Sequence, residues 1–416
     1  MDLTVGLLLS LEALFALFLL YREGLLQNKR TWIAACLLLA AAFALRAAAM
    51  NYETLDYRNF LTRWVSFFRR NGGFEALALP VGNYNIPYLY FLALFSYCRT
   101  RDLYLIKLLS IFFDVVLAWS CEKLCARVCP SPVRRLSCFF AALFWPTVLL
   151  NGAIWGQCDS IYTALALLAL ALALEDRPVL SMLCITLSFS FKLQAVFVMP
   201  VFAVLWMAKK FKWQHFLLFP AVYLLLVLPA VLLGRPFWET LTLYASQTGS
   251  IGDALNYNSP SLFAVFNQVP RPERASAVGI ILALVYMLNI LAMAFVNRRR
   301  LNDRSILACA LLFAVGIPFL LPHMHERYFF TADMLSLALA FAVPLYSLSA
   351  PLTEFASLLG YHAYLKMRFL LPMRYGTAAL AVVLVLAMVC FFAELDPPPK
   401  PQARKKPAAK PKRGAA

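Results

Sequence analysis

Long apolar runs separated by short polar turns make up nearly the whole chain. The runs fall near 3–20, 31–49, 103–120, 136–152, 159–175, 178–208, 213–233, 277–296, 305–321, 328–347 and 377–393. Crossing the hydrocarbon of a bilayer takes about 20 helical residues, so most runs predict one span each. The 178–208 run is longer and contains Lys192, which predicts two short or broken spans meeting at that residue. Shorter stretches at 86–98 and 349–370 fit either a span or an interfacial segment. The pattern predicts an all-α, polytopic transmembrane helix bundle of about eleven to fourteen helices. The first run lacks a small-residue cleavage site and carries Glu12, so it reads as a retained span rather than a signal peptide.

Composition sharpens this reading. The 416 residues are 62% hydrophobic and 14% charged, whereas soluble domains carry roughly a quarter charged residues. No stretch before Asp396 is polar enough to form a soluble domain. Residues 1–395 therefore read as one membrane domain, and 396–416 as a disordered basic tail of Pro, Ala and Lys that can touch anionic lipid. The net charge of +17 comes from short turns between helices, such as Arg22, Lys29 and Arg30; Lys209, Lys210 and Lys212; and Arg298, Arg299, Arg300 and Arg304. That is a membrane signature, with no nucleic-acid partner implied. By the positive-inside rule these turns are cytoplasmic, which puts 50–85, 151–158, 234–276 and 322–327 on the outer face. Two conditions follow. An odd number of crossings must separate the 50–85 loop from the basic Cys121–Arg135 loop, and the tail is cytoplasmic only if 349–370 crosses. The ten cysteines show no framework. Cys121, Cys125 and Cys129 are spaced by four with no nearby histidine, unlike the closer pairs of zinc sites, so neither a metal nor a cofactor is expected.

Three polar knots interrupt the apolar pattern at helix ends; ionisable groups are costly inside hydrocarbon, so groups held at the mouth of a membrane bundle point to function. His323, His325, Glu326 and Arg327 lie in H-M-H-E-R-Y; Gln157 and Asp159 in W-G-Q-C-D-S; Lys192 and Gln194 in F-K-L-Q. Gln157 has no capping role to explain it, whereas Asp159 can cap the helix that follows. Lys192 needs a counter-charge, either Asp159 or a phosphate. Arg327 and the histidines suit anionic oxygens, and equally could pair with Glu326. Ahead of these knots, 57–70 places Tyr57, Phe60, Leu61, Trp64 and Phe68 at helical spacing with arginines opposite. This predicts an amphipathic helix in the membrane interface. Asp56 stands at its head with Glu53 just before. Asp56 has two open readings: an N-cap, or a general base that takes a proton from an attacking hydroxyl. The tyrosines of G-N-Y-N-I-P-Y-L-Y suit an interface belt. In the long outer loop, Trp238, Tyr244, Gln247, Tyr257 and Asn258 form a mixture suited to sugars or to a mobile lid. Lys107 and Asp114, seven apart on one apolar segment, read as a buried pair.

Taken together, the segments D-Y-R-N-F-L-T-R-W, N-G-G-F-E-A-L, N-Y-N-I-P-Y-L-Y, W-G-Q-C-D-S-I-Y, F-K-L-Q-A-V-F-V-M-P and P-H-M-H-E-R-Y-F-F resemble the GT-C superfamily of polytopic glycosyltransferases. The resemblance is closest to the bacterial group related to the GPI mannosyltransferases. Dolichyl-phosphate-glucose-dependent glucosyltransferases are similar at the three polar knots. The segments keep family order over 50–335. The resemblance implies inverting transfer of a hexose, mannose foremost, from a polyprenyl-phosphate sugar to an acceptor at the outer face of the cell membrane. It implies that Asp56 is the base, and that Lys192, His323, His325 and Arg327 handle the carrier phosphate. Glu53, Gln157, Asp159, Gln194 and Glu326 would support them. Three departures stand out: an additional first span, one proline in N-Y-N-I-P-Y where relatives often have two, and no adjacent acidic pair in the first loop, which argues against a metal.

Two other classes fit the composition. A transporter or flippase of lipid-linked sugars would show internal repeats and discontinuous helices at mid-membrane; the halves show no repeat, and the polar knots gather on one face. An oligosaccharide polymerase or ligase would share outer basic residues but not the D-Y-x-x-F-L-x-x-W loop. Whether the acceptor is a glycan, a lipid or a protein has no signature in the chain.

Overall fold

A computed structural model describes residues 3–245, 254–266 and 270–397. Gln247 and nearly all of the basic tail lie outside the described residues. Within them, seven helices are long and apolar enough to cross a membrane. The fold is an all-α polytopic bundle, as the apolar periodicity predicts. Among the described residues, strand pairing amounts to a two-residue parallel pair, Asn256–Tyr257 beside Met324–His325, and one antiparallel bridge between Asn258 and His325.

The helices, in order, are α1 (Leu3–Arg22), α2 (Lys29–Ala49), α3 (Thr62–Arg70), α4 (Ile86–Phe95), α5 (Asp102–Val128), α6 (Pro132–Phe144) and α7 (Pro146–Leu149). There follow α8 (Asp159–Leu174), α9 (Pro178–Phe191), α10 (Val201–Met207), α11 (Leu218–Leu232), α12 (Phe237–Leu241), α13 (Pro272–Val296), α14 (Asp303–Leu320), α15 (Phe330–Ala342), α16 (Ser349–Leu365) and α17 (Arg374–Ala393). Local chemistry sets many of the boundaries. Asn28 caps α2 by accepting from the Thr31 amide at 3.0 Å. Pro146 ends the hydrogen-bond ladder of α6, and the chain bends by 43° into the next segment.

The middle of the bundle is formed by α5, α8, α14 and α15, with Ile111, Leu167, Leu311, Phe313 and Phe330 fully or almost fully buried. The rim is apolar too. Leu7, Leu11, Leu14 and Phe18 of α1, and Ile281, Leu284 and Leu288 of α13, are exposed. A water-facing surface would not tolerate such a band; a lipid-facing one requires it.

The two ends of the bundle differ in chemistry. At one end, ion pairs tie the short basic turns together: Arg127 to Asp303 at 2.8 Å, Arg135 to Glu122 at 2.6 Å, Lys210 to Asp176 at 3.0 Å and Arg304 to Glu394 at 3.0 Å. At the other end lie the three polar knots. α4 starts and finishes at the knot end. Its C-terminal neighbour Ser96 accepts from Arg69, and Tyr97 hydroxyl accepts from the Phe74 amide at 3.0 Å. This leaves α5 as the single passage from the 50–85 segment to the basic end. α16 returns the chain from the basic end to the knots, so α17 runs back to Glu394. There Asn302 holds the Asp396 carboxylate at 2.9 Å. The 178–208 run breaks at Lys192, between α9 and a tight turn at Leu193–Phe197.

Below the knots the buried charges pair across helices, not along them. Arg46 of α2 meets Asp114 of α5 at 2.9 Å, and both are fully buried. Lys107 does not reach Asp114, contrary to the sequence expectation; its ammonium donates to the carbonyls of Ala49 and Tyr52 at 2.8 and 2.6 Å. Seven residues along a helix is a rise of about 10 Å, too far for a direct bond. The frayed end of α2 offers nearer acceptors.

Candidate active site

Asp56 lies on the helical turn that leads into α3. The predicted amphipathic helix is present, beginning with a wide turn at Tyr57–Leu61. It buries Tyr57, Leu61, Val65 and Phe68 and ends at Asn71, after which Gly72 takes a left-handed φ of +86°. The Asp56 backbone is already helical, and its side chain makes no capping bond. The N-cap reading is therefore replaced by another set of partners. Oδ2 accepts from Trp155 Nε1 and from Gln157 Nε2, each at 2.8 Å, and Oδ1 accepts from the Tyr364 hydroxyl.

These partners are delivered by local irregularities. A second wide helical turn, Leu150–Trp155, ends at Gly156, whose φ of +75° reverses the chain. Such wide turns recur at functional sites because they re-aim side chains. Here they aim Trp155 and then Gln157 at Asp56. Trp155 stacks on Tyr364, ring centroids 4.6 Å apart and 16° from parallel. One carboxylate has about four acceptor positions, and three are filled. Asp56 lines a cleft of about 250 Å³ with Phe60, Trp64, Tyr84, Gln157, His325 and Arg327.

Gln157 joins the acid to the cations. Its Oε1 accepts from Arg327 Nη1 at 2.7 Å and from the Tyr84 hydroxyl at 3.1 Å, while its carbonyl accepts from Ser110 at 2.7 Å. Arg327 also reaches Asp159 at 3.2 Å and Glu326 at 3.1 Å, and its guanidinium lies 4.8 Å from the centre of the Trp155 ring. Behind the cleft, Asp159 accepts from Lys192 and from Asn151, the latter at 2.7 Å. Asp159 and Lys192 are both buried. Of the two counter-charges considered for Lys192, the structure supplies Asp159. Burial alone would raise the Glu326 carboxyl, but the His325 ring and the Arg327 charge outweigh it and hold the group below its ordinary value. Glu326 therefore stabilises the fold above the unfolded carboxylate range, and that contribution is lost as pH falls through the depressed folded value.

The remaining candidates divide. His325 stacks on Tyr257 at 4.6 Å, 9° from parallel, and faces the cleft. His323 does not join it. Two residues apart on an extended segment would share a face, but His323 adopts a left-handed φ of +61°. Its ring turns to the Ala254 carbonyl at 2.8 Å and the Ser276 hydroxyl at 3.1 Å. Asn258 bridges to His325 through the backbone. Glu53 pairs with Arg58 and Arg101 away from the cleft. Tyr244 packs its ring on Phe189 and donates to that residue's carbonyl at 2.8 Å, and Trp238 is exposed on α12. Gln194 sits in the turn behind Lys192. No group of three or more metal-ligating side chains occurs among the described residues.

Sequence reasoning assigned no role at Asp56 to Trp155, Tyr364 or Tyr84. Trp155 and Tyr84 lie inside motifs already noticed, so those motifs were a usable signal. Tyr364 lies in a segment without any.

The site is a polar cleft, framed by aromatic rings, at one end of an apolar helix bundle. It pairs a carboxylate with fixed cations and so suits group transfer on a substrate handled at a membrane surface. Residues 97–208, which contain both W-G-Q-C-D-S and F-K-L-Q, match the model of the MptA_B family, described as alpha-(1->6)-mannopyranosyltransferase, N-terminal domain. No curated protein matches the chain. The family match spans 112 of the 416 residues, so over this segment the chain is similar to a mannosyltransferase domain; together with the apolar bundle it makes the protein a membrane glycosyltransferase.

Proposed function

We propose that the protein transfers mannose from a polyprenyl-phosphate sugar to an acceptor hydroxyl at the extracytoplasmic face, by inverting displacement with Asp56 as general base. The observation that carries this reading is the Asp56 carboxylate: three neutral donors orient it while it still lines the cleft. The acceptor oxygen attacks the anomeric carbon from the face opposite the phosphate, and the carbon–phosphate oxygen bond breaks with its electron pair. The acceptor proton passes to Asp56. Charge then develops on the lipid phosphate, where Arg327 and His325 stabilise it. Lys192 acts from behind by helping to neutralise Asp159, which leaves Arg327 placed at the cleft. Phe60, Trp64 and Tyr84 offer ring faces to a pyranose.

The decisive test is donor choice. Purified protein, incubated with polyprenyl-phosphate mannose, polyprenyl-phosphate glucose and GDP-mannose, should transfer sugar from the first. Transfer from the nucleotide sugar alone would remove the lipid-linked donor. Orientation has its own test. In a cysteine-free background, Trp238→Cys and Met367→Cys should react with an impermeant thiol reagent from outside intact cells, and Arg299→Cys only after permeabilisation. The basic turns on the inner side of the membrane require this pattern; the reverse pattern would place the site in the cytoplasm.

A further inference from the structure

One carboxyl inside the bundle takes no part in the cleft or in the ion pairs that brace it. Glu12 stands midway along the 20 residues of α1, about 15 Å from either end, and so at mid-depth in the bilayer. Among the described residues it accepts no hydrogen bond and joins no ion pair, and its Oε2 is buried. The charged groups that act on it, Asp114 and Arg46, already bind each other at 2.9 Å. Arg46 also donates to the carbonyls of Ala42 and Leu143 at 3.3 and 3.0 Å. One cation thus serves two carboxyls, and the set lacks a positive partner. An ionisable side chain within a transmembrane helix normally has such a partner and marks function.

Glu12 lines a groove of about 480 Å³ between α1, α4 and α5. Leu8 and Phe15 of α1 face Leu108 and Phe112 of α5, with Phe15 stacked on Phe112 at 5.4 Å, and α4 adds Leu94. Every lining side chain other than Glu12 is a leucine or a phenylalanine. Leu11 and Leu94, both on the groove, are 60% and 48% exposed, so it opens toward the lipid. Beside it, Leu7, Leu11, Leu14 and Phe18 recur every three or four residues on the exposed face of α1, a stripe on which a second helix can pack.

Three kinds of occupant fit an apolar groove in a membrane, and the carboxyl decides among them. Lipid chains match the walls but offer nothing to Glu12, and headgroup cations stay at the interface about 15 Å away. A second copy of this chain presents leucines and phenylalanines. The polar groups on the exposed faces of its α1 and α13, Ser10 and Asn289, are turned back to the carbonyls of Gly6 and Val285 on their own helices. A helix of another protein with a cation at mid-span supplies both the apolar surface and the missing charge. We propose that the groove seats a transmembrane helix of a partner protein, held by a lysine or arginine at its centre that meets Glu12. The seat adjoins the cleft, because α5 also carries Ser110, which holds the Gln157 carbonyl at 2.7 Å.

The test uses full-length protein in zwitterionic nanodiscs, titrated with fluorescent single-span peptides of leucine and alanine. One peptide carries lysine at its centre, a second leucine there, and a third has the lysine moved to one end. The central-lysine peptide should bind about tenfold more tightly than either control, the gain expected of one charge-assisted hydrogen bond. Glu12→Leu should abolish that preference, and Leu11→Trp, which fills the groove from its open side, should weaken binding with Glu12 still in place. Without peptide, Glu12→Leu should melt at or above the wild-type temperature, because it removes a buried polar group that nothing satisfies. A clear drop in melting temperature would mean that the fold itself holds the carboxyl, and the seat would fall. Equal affinity for the three peptides, or a lysine preference that survives Glu12→Leu, would overturn it as well. Self-association in peptide-free discs that Glu12→Leu abolishes would give the groove to a second copy of this chain and remove the partner helix.

Discussion

Asp56→Asn should lower turnover by about 100-fold or more, the scale of a lost general base, while the protein still folds and still binds donor. The substitution keeps the side chain's shape and one carbonyl oxygen, so Trp155 or Tyr364 can still donate to it. What it removes is the basic lone pair on the cleft side. Tyr364→Phe offers the graded comparison. It deletes one of three orienting donors while keeping the ring that stacks on Trp155, so turnover should fall by less than in Asp56→Asn. The measurement is single-turnover transfer from the lipid-linked donor, with melting temperature as the control for folding. Near-normal turnover in Asp56→Asn would take this carboxylate out of the mechanism. Glu326, the other carboxylate lining the cleft, would then be tested before Glu53, which is engaged by two arginines elsewhere.

The chain announces its class more clearly than its geometry. Apolar runs with charged turns dictate a helix bundle because hydrocarbon leaves the backbone few alternatives, and the break at Lys192 was visible as one charge inside an apolar run. The polar knots were legible for the same reason, since each stands where it is costly. Their internal wiring was not. Asp56 is held by Trp155, Gln157 and Tyr364, between about 100 and 300 positions away in sequence, and no local period reports contacts of that range. Tyr364 was hidden most completely, being one tyrosine on a short helix whose crossing was itself open. His323 was misplaced for a local reason: its left-handed backbone breaks the alternation that would have put it beside His325. Lys107 and Asp114 show the opposite error, a shared helical face taken as contact although each found a partner on another helix.

The other large effect should come from Asp159. Its carboxylate is buried, and it is the common partner of two cations, Lys192 through Oδ1 and Arg327 through Oδ2, with Asn151 donating to Oδ2 as well. Removing one member of a buried ion pair leaves the other charge without compensation, which costs about 3–5 kcal/mol. Asp159→Asn should therefore destabilise the protein by about that amount, even though it changes almost no volume. Arg327 loses less than Lys192, because Glu326 and Gln157 still accept from it at 3.1 and 2.7 Å. The double variant Asp159→Leu/Lys192→Met should then be more stable than Asp159→Asn alone, since it removes the stranded ammonium together with its partner. Reversible unfolding in mixed micelles measures all three forms. A change in Asp159→Asn within about 0.5 kcal/mol, the scale of an indifferent surface substitution, would mean that Lys192 carries no charge in the fold. In that case the placement of Arg327 at the cleft would have to come from Gln157 and Glu326 alone, and Lys192→Gln should leave donor transfer unchanged.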